Sequence, residues 1–194
     1  SSINNGYYNN FHGVLYVPLG SVSSQTDIDI TAGSIQSFTL NADPVTFTFK
    51  NWPDLGYYAN IRVHFQGQGN GAFTADLYSE GGGTIIKDIN FPSSFATGFV
   101  KNADGIQSQS STTLVLADVD NIEIGQTVIK ASYLSSGCKV IGVDRVAKEV
   151  TLSSAIIADI ADNATITFSY ASRVIEAWTV DGGANVYVKH IGDF

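Results

Sequence analysis

Cysteine is almost absent from this chain: Cys138 is the only one in 194 residues, and methionine does not occur at all. A lone cysteine excludes an intrachain disulfide framework. Cys138 lies in Ser136-Gly137-Cys138-Lys139-Val140, at an expected strand start, where a small buried hydrophobe is the simplest role. A nucleophile would need a positioned base, which the spacing does not identify. Charged residues make up only 14%, and acidic residues outnumber basic ones 18 to 10, for a net charge of −8. With no clustered basic run, the chain lacks the lysine and arginine surface that tracks phosphates, so no direct nucleic-acid role is expected. Neither a membrane-spanning apolar run nor a basic-plus-apolar leader is present, and no membrane insertion is expected. The 19 glycines follow no fixed period, which excludes a collagen-like chain.

Chemical motifs are equally sparse. His12, His64 and His190 are dispersed and none forms HExxH, while Gly81–Gly83 lacks the GxxxxGK[ST] arrangement of a phosphate loop. Asp27 and Asp29 share a side of an extended segment, as do Asp118 and Asp120, and either pair could contribute to a calcium site. Both fall short of an EF-hand in ligand count, so turn capping or solvation competes with that use. Further aspartates, including Asp43, Asp54, Asp76, Asp88, Asp144, Asp159 and Asp162, surround expected strands and turns. Two carboxylates do acid–base work only when folding sets their separation and shifts one pKa. The expectation is therefore no catalytic, cofactor or metal residue, and no enzyme.

What the chain has is alternation. Val45, Phe47 and Phe49 alternate with Thr46, Thr48 and Lys50, and Ile61, Val63 and Phe65 alternate with Arg62 and His64. This is the period of half-buried strands. Between them, Asn51-Trp52-Pro53-Asp54-Leu55-Gly56 breaks the pattern, and the two strands are expected to form an antiparallel pair. Shorter strands are expected at Ala72–Ser79, Thr84–Ile89, Thr113–Ala117, Cys138–Val143, Lys148–Leu152 and Ala164–Tyr170. Phe91–Val100 reads as an interrupted strand. Arg173–Val180 and Asn185–Ile191 flank Asp181-Gly182-Gly183, a strong hairpin signal because glycine tolerates positive φ. Ser154–Ile160, rich in alanine and isoleucine, leaves a short helix open.

These segments predict an all-β chain, an antiparallel β-sandwich with a small inserted β-rich module. Residues 1–29 read as an aromatic and polar N-terminal docking arm, residues 30–108 and 172–194 as the main sandwich, and residues 109–171 as the insert. In the arm, Tyr7, Tyr8, Phe11 and Tyr16 are candidate assembly residues, because aromatic rings supply large contact areas at interfaces. Intrachain packing is the equal alternative. Trp52, Tyr57, Tyr58, Trp178 and Tyr187 are the candidate glycan or partner surface, with Asn51, Asp54 and Asn185 able to orient polar ligand groups. Packing between sheets would use the same tryptophans.

Together, NWPDLGYYANIRVHF and EAWTVDGGANVYVKHIGDF resemble β-rich structural or fibre proteins of tailed bacteriophages, in particular marine cyanophage appendage modules. The stretches LVLADVDNIEIGQTVIKAS and VIGVDRVAKEVTLSSA are similar to a small β module of phage appendage proteins. The resemblance spans Gln36–Phe194. It implies a noncatalytic virion protein, a tail or neck fibre subunit that contacts other virion proteins and assembles as a homo-oligomer such as a trimer. Host attachment through a surface glycan is the adhesin alternative, and a polysaccharide depolymerase is a third.

Overall fold

The computed structural model describes residues 15–92 and 94–193. They form fifteen strands and two single-turn 3-10 segments, in agreement with the all-β expectation. The strands are β1 (Tyr16–Val22), β2 (Thr26–Asp29), β3 (Ile35–Leu40), β4 (Val45–Lys50), β5 (Ala59–Gly67), β6 (Ala75–Ser79) and β7 (Thr84–Lys87). There follow β8 (Gly98–Asn102), β9 (Thr113–Val115), β10 (Thr127–Ile129), β11 (Val140–Asp144), β12 (Glu149–Leu152) and β13 (Thr165–Ser169). The last two are β14 (Arg173–Thr179) and β15 (Asn185–Asp193).

The first six strands alternate between two sheets. β1, β3 and β5 lie side by side and parallel in one, while β2, β4 and β6 lie side by side and parallel in the other. Parallel neighbours need a long crossover, commonly a helix. Here the crossover between two strands of one sheet is a strand of the facing sheet, so the chain winds in coils around a shared core. The expected antiparallel pairing of Val45–Lys50 with the following strand does not form. β4 joins β2 and β6, whereas β5 joins β3 in parallel and β14 antiparallel. The physical reason is the Asn51–Tyr58 loop, which is too long and too irregular for a tight hairpin and carries the chain across the core. β4 and β5 meet through side chains instead: the Phe47 ring lies 4.9 Å from Phe65 and 5.0 Å from Phe38, edge to face. All three rings are fully buried, and each contributes about 1.5–3 kcal/mol by leaving water.

The hairpin expected around Asp181-Gly182-Gly183 does form, and it joins β14 to β15. It lies between β5 and β7, giving the six-stranded order β1-β3-β5-β14-β15-β7 with mixed pairing. Thr179 Oγ1 and the Asp181 carboxylate hold the turn by accepting hydrogen bonds from Gly183 N and Asn185 N. A Cβ at Gly183 would collide with the Trp52 indole, so the glycine is required both for its φ of +86° and for that close approach.

A second apolar cluster gathers Leu114, Leu116, Ile122, Leu152, Ile160, Ile166 and Phe168. Around it stand two three-stranded sheets, β10-β13-β8 and β11-β12-β9, paired antiparallel. Bridges join their margins: Ala103 to Leu116 ties β8 to β9, and Thr127 to Lys139 ties β10 to β11. The six strands therefore close into a ring. Cys138 is buried inside it, in the role of a small hydrophobe. The expected strand Phe91–Val100 starts only at Gly98, and 154–160 contains no helix.

Candidate partner-binding face

Strand alternation divides the six-stranded sheet into an inner face, with Ile61, Val63, Phe65, Ile175, Ala177, Val186 and Val188 in the core, and an outer face. Register places the outer residues in rows across the strands. One row runs Tyr16, Ile35, Arg62, Glu176, Lys189 from β1 to β15. The next runs Asn60, Trp178, Tyr187, Ile86 from β5 to β7. Trp178 and Tyr187 face each other directly, with nearly parallel rings (16°) and centroids 5.8 Å apart. Asn60 Nδ2 donates to Glu176 Oε1 at 3.3 Å and so links the two rows. Tyr16, from the other candidate group, shares this face and hydrogen bonds through its hydroxyl to Ser37 Oγ at 2.8 Å.

Tyr57 and Tyr58 stand exposed on the loop entering β5, beside Leu55. That loop rests on the β14–β15 turn, where Gly56 N donates to Val180 O. Trp52 belongs to the same loop but turns inward, half-buried, packing on Phe49 at 5.8 Å and over Gly183. Its indole N–H is buried without a hydrogen-bond partner. Of the five expected surface aromatics, Tyr57 and Tyr58 are exposed, Trp178 and Tyr187 are half-buried on the outer face of the sheet, and Trp52, also half-buried, packs inward. Tyr7, Tyr8, Phe11 and His12 lie outside the described residues.

Most of the carboxylates considered for chemistry are engaged in hydrogen bonds or ion pairs. Asp27 pairs with Lys50 at 2.9 Å, and Asp29 accepts from Thr31 N and Oγ1. The Thr31 hydroxyl, foremost, holds the Asp29 carboxyl below its usual value. Asp118 pairs with Lys101 and also accepts from Asp120 N, and the lysine contact lowers its pKa. Asp43, Asp88, Asp144, Asp159 and Asp162 each accept from a backbone N–H in a turn or loop. Among the described residues, no three metal-ligating side chains come together. His64 shows a pKa lowered first by burial and then by Arg62, and His190 Nε2 contacts Asp193 Oδ1 at 2.7 Å.

Two features were not legible in the residue list. Glu176, Arg62, Asn60 and Lys189 flank the aromatic pair, a placement that follows only from the register of β5, β14 and β15. Arg173 forms a joint between the two clusters. Its guanidinium carbon sits 4.7 Å from the Phe95 ring centre and 4.6 Å from that of Tyr170. It donates from Nε to Asp193 Oδ1 at 2.8 Å and from Nη1 to Ala96 O at 2.8 Å. A cleft of about 420 Å³ opens beside this joint, lined in part by Glu123, Gln126, Lys139, Tyr170 and Asp193.

Comparison of the chain with protein-family models, with curated proteins and with solved structures finds no match.

Proposed function

We propose that this chain is a noncatalytic structural protein of a bacteriophage virion, a tail or neck fibre subunit that works as a homo-oligomer, such as a trimer, among other virion proteins. The observation that carries the reading is the outer face of the six-stranded sheet, where Trp178 stacks on Tyr187 and Tyr16 lies on the same face at the β1 edge. Aromatic rings presented on a rigid sheet suit docking, because little side-chain entropy is lost on contact. Carboxylates committed to turns and lysine pairs support a structural role over a reactive one. On this reading the six-stranded sheet and β2-β4-β6 are the two layers of a sandwich with mixed rather than purely antiparallel pairing. The strand ring is the inserted module, and it takes in β8 as well as residues 109–171. The arm then ends near Leu15, because β1 already pairs with β3. Sedimentation of the full chain and of a form lacking residues 1–14 tests the docking role. An oligomer that dissociates on deletion supports it; an unchanged mass in both removes the arm from assembly.

A second reading, a carbohydrate-binding adhesin domain for a host surface glycan, is favoured by the Trp178–Tyr187 stack with Asn60 and Glu176 alongside. Sugar rings lay their C–H faces on aromatic rings while amides and carboxylates take the hydroxyls. Trp178→Ala separates this reading from packing: loss of glycan retention with an unchanged fold supports the adhesin.

A further inference from the structure

Resting on that second reading, we infer that the outer face of the six-stranded sheet takes an acidic saccharide, its carboxylate held by Arg62 and Lys189 and its ring carried on Trp178 and Tyr187. Across the molecule acidic side chains outnumber basic ones 18 to 10, yet the row beside the aromatic pair carries two cations, Arg62 and Lys189, and one carboxylate, Glu176. Most of the chain's other cations are occupied: Lys50, Lys101, Arg145 and Arg173 in ion pairs, and Lys87 and Lys130 over aromatic rings. Arg62 and Lys189 are exposed, and among the described residues neither forms an ion pair or a ring contact. Glu176 stands between them in register but takes its hydrogen bond from Asn60.

The opposite flank of the aromatic row is different. There the Asp181 carboxylate accepts from Asn185 Nδ2 at 2.7 Å, placing negative charge on the far side of Tyr187. A bound saccharide is therefore oriented. Its carboxylate faces the Arg62 and Lys189 row, where a guanidinium can engage it through paired N–H groups. Its hydroxyls face Asn60 and Asn185, and its apolar ring face lies on the indole and phenol. A neutral sugar would leave the two cations sharing Glu176 as the single carboxylate of their row, and a nucleic acid would meet the acidic remainder of the surface.

The test is a glycan array holding uronic- and sialic-acid glycans beside matched neutral ones, probed with the full chain and with Arg62→Gln, Lys189→Gln and Trp178→Ala. Acidic glycans are expected to be retained, with affinity falling about tenfold or more in Trp178→Ala, as for a central aromatic contact. Arg62→Gln and Lys189→Gln, both at exposed positions, should abolish the preference for acidic over neutral glycans and flatten its salt dependence. Should Trp178→Ala unfold, Tyr187→Ser supplies the aromatic arm. Retention of neutral glycans as tightly as acidic ones, still lost in the aromatic variants, overturns the acidic specificity and leaves the adhesin reading standing. Binding to no glycan at all overturns both. Acidic binding that survives every variant places the site elsewhere and also overturns the inference.

Discussion

The two halves of the molecule solve the problem of strand edges in opposite ways. In the ring, every strand from β8 to β13 has a neighbour on both sides, so closure leaves no free margin among the described residues. In the wound half, the six-stranded sheet ends at β1 and β7, and its facing sheet ends at β2 and β6. Open edges are sites for adding another strand unless they are blunted. β1 carries Pro18, a register break and Gly20 at φ +76°; β2 carries Asp27 and Asp29; and β6 is covered at its start by Phe95 and Ala96. Closure thus pairs every strand of the ring, while the wound half keeps open edges.

That contrast can be broken from either side. The largest effects come from the two cores. Phe47→Ala and Phe168→Ala each remove a fully buried ring and should cost about 3–5 kcal/mol. Hydrogen exchange should show Phe47→Ala opening β2 to β6 first, and Phe168→Ala opening β8 to β13 first. Equal loss of protection in both halves from either change would mean that they unfold as one unit.

Arg173→Ala comes next, because it breaks the joint rather than a core. It leaves Asp193 without its main partner and removes the guanidinium's contacts with the Phe95 and Tyr170 rings, at a cost of about 3 kcal/mol. Calorimetry should then resolve two transitions, and small-angle scattering should show a wider spread of distances between the halves. A single sharp transition would indicate that the halves are coupled elsewhere.

Gly183→Ala should cost about 1–2 kcal/mol from its left-handed backbone alone, and more from the collision with Trp52. Tryptophan fluorescence should report the displaced indole, while protection in the ring stays unchanged.

The smallest effect is acid titration. The Asp29 and Asp118 carboxyls, one in each half, have folded pKa values below the ordinary 3.8. Asp181 is also lowered, first by its hydrogen bond from Asn185 N. As pH falls below 3.8 the unfolded chain binds protons first, so the stability these groups contribute is complete above that value and is lost as pH drops through the folded values. Denaturant midpoints in Asp118→Asn and Asp181→Asn should vary less over that range than in the unchanged chain.

Local signals were the legible part of the sequence. The β14–β15 turn could be read from Asp181-Gly182-Gly183, and the β11–β12 return from the adjacent expected strands Cys138–Val143 and Lys148–Leu152, because both connect neighbours in the chain. The true neighbours of β4 and β5 could not, since alternation states which face a residue occupies and not which strand lies beside it. The same limit hid half of the candidate face. Trp178 opposite Tyr187 follows from counting outward from a tight turn. Asn60 beside Trp178 does not, because the whole ring intervenes between β5 and β14. Trp52 shares its loop with the exposed Tyr57 and Tyr58 and differs in packing inward on Phe49 and Gly183.

The β14–β15 hairpin lies between two strands that the ribosome completes well before it. Until that pair of strands arrives, β5 and β7 flank a slot two strands wide, and the core beneath it lacks Ile175, Ala177, Val186 and Val188. A chain severed after Ala171 would carry a ready-made receptor for its own missing piece, and a separate peptide of residues 172–193 should restore the fold by complementation.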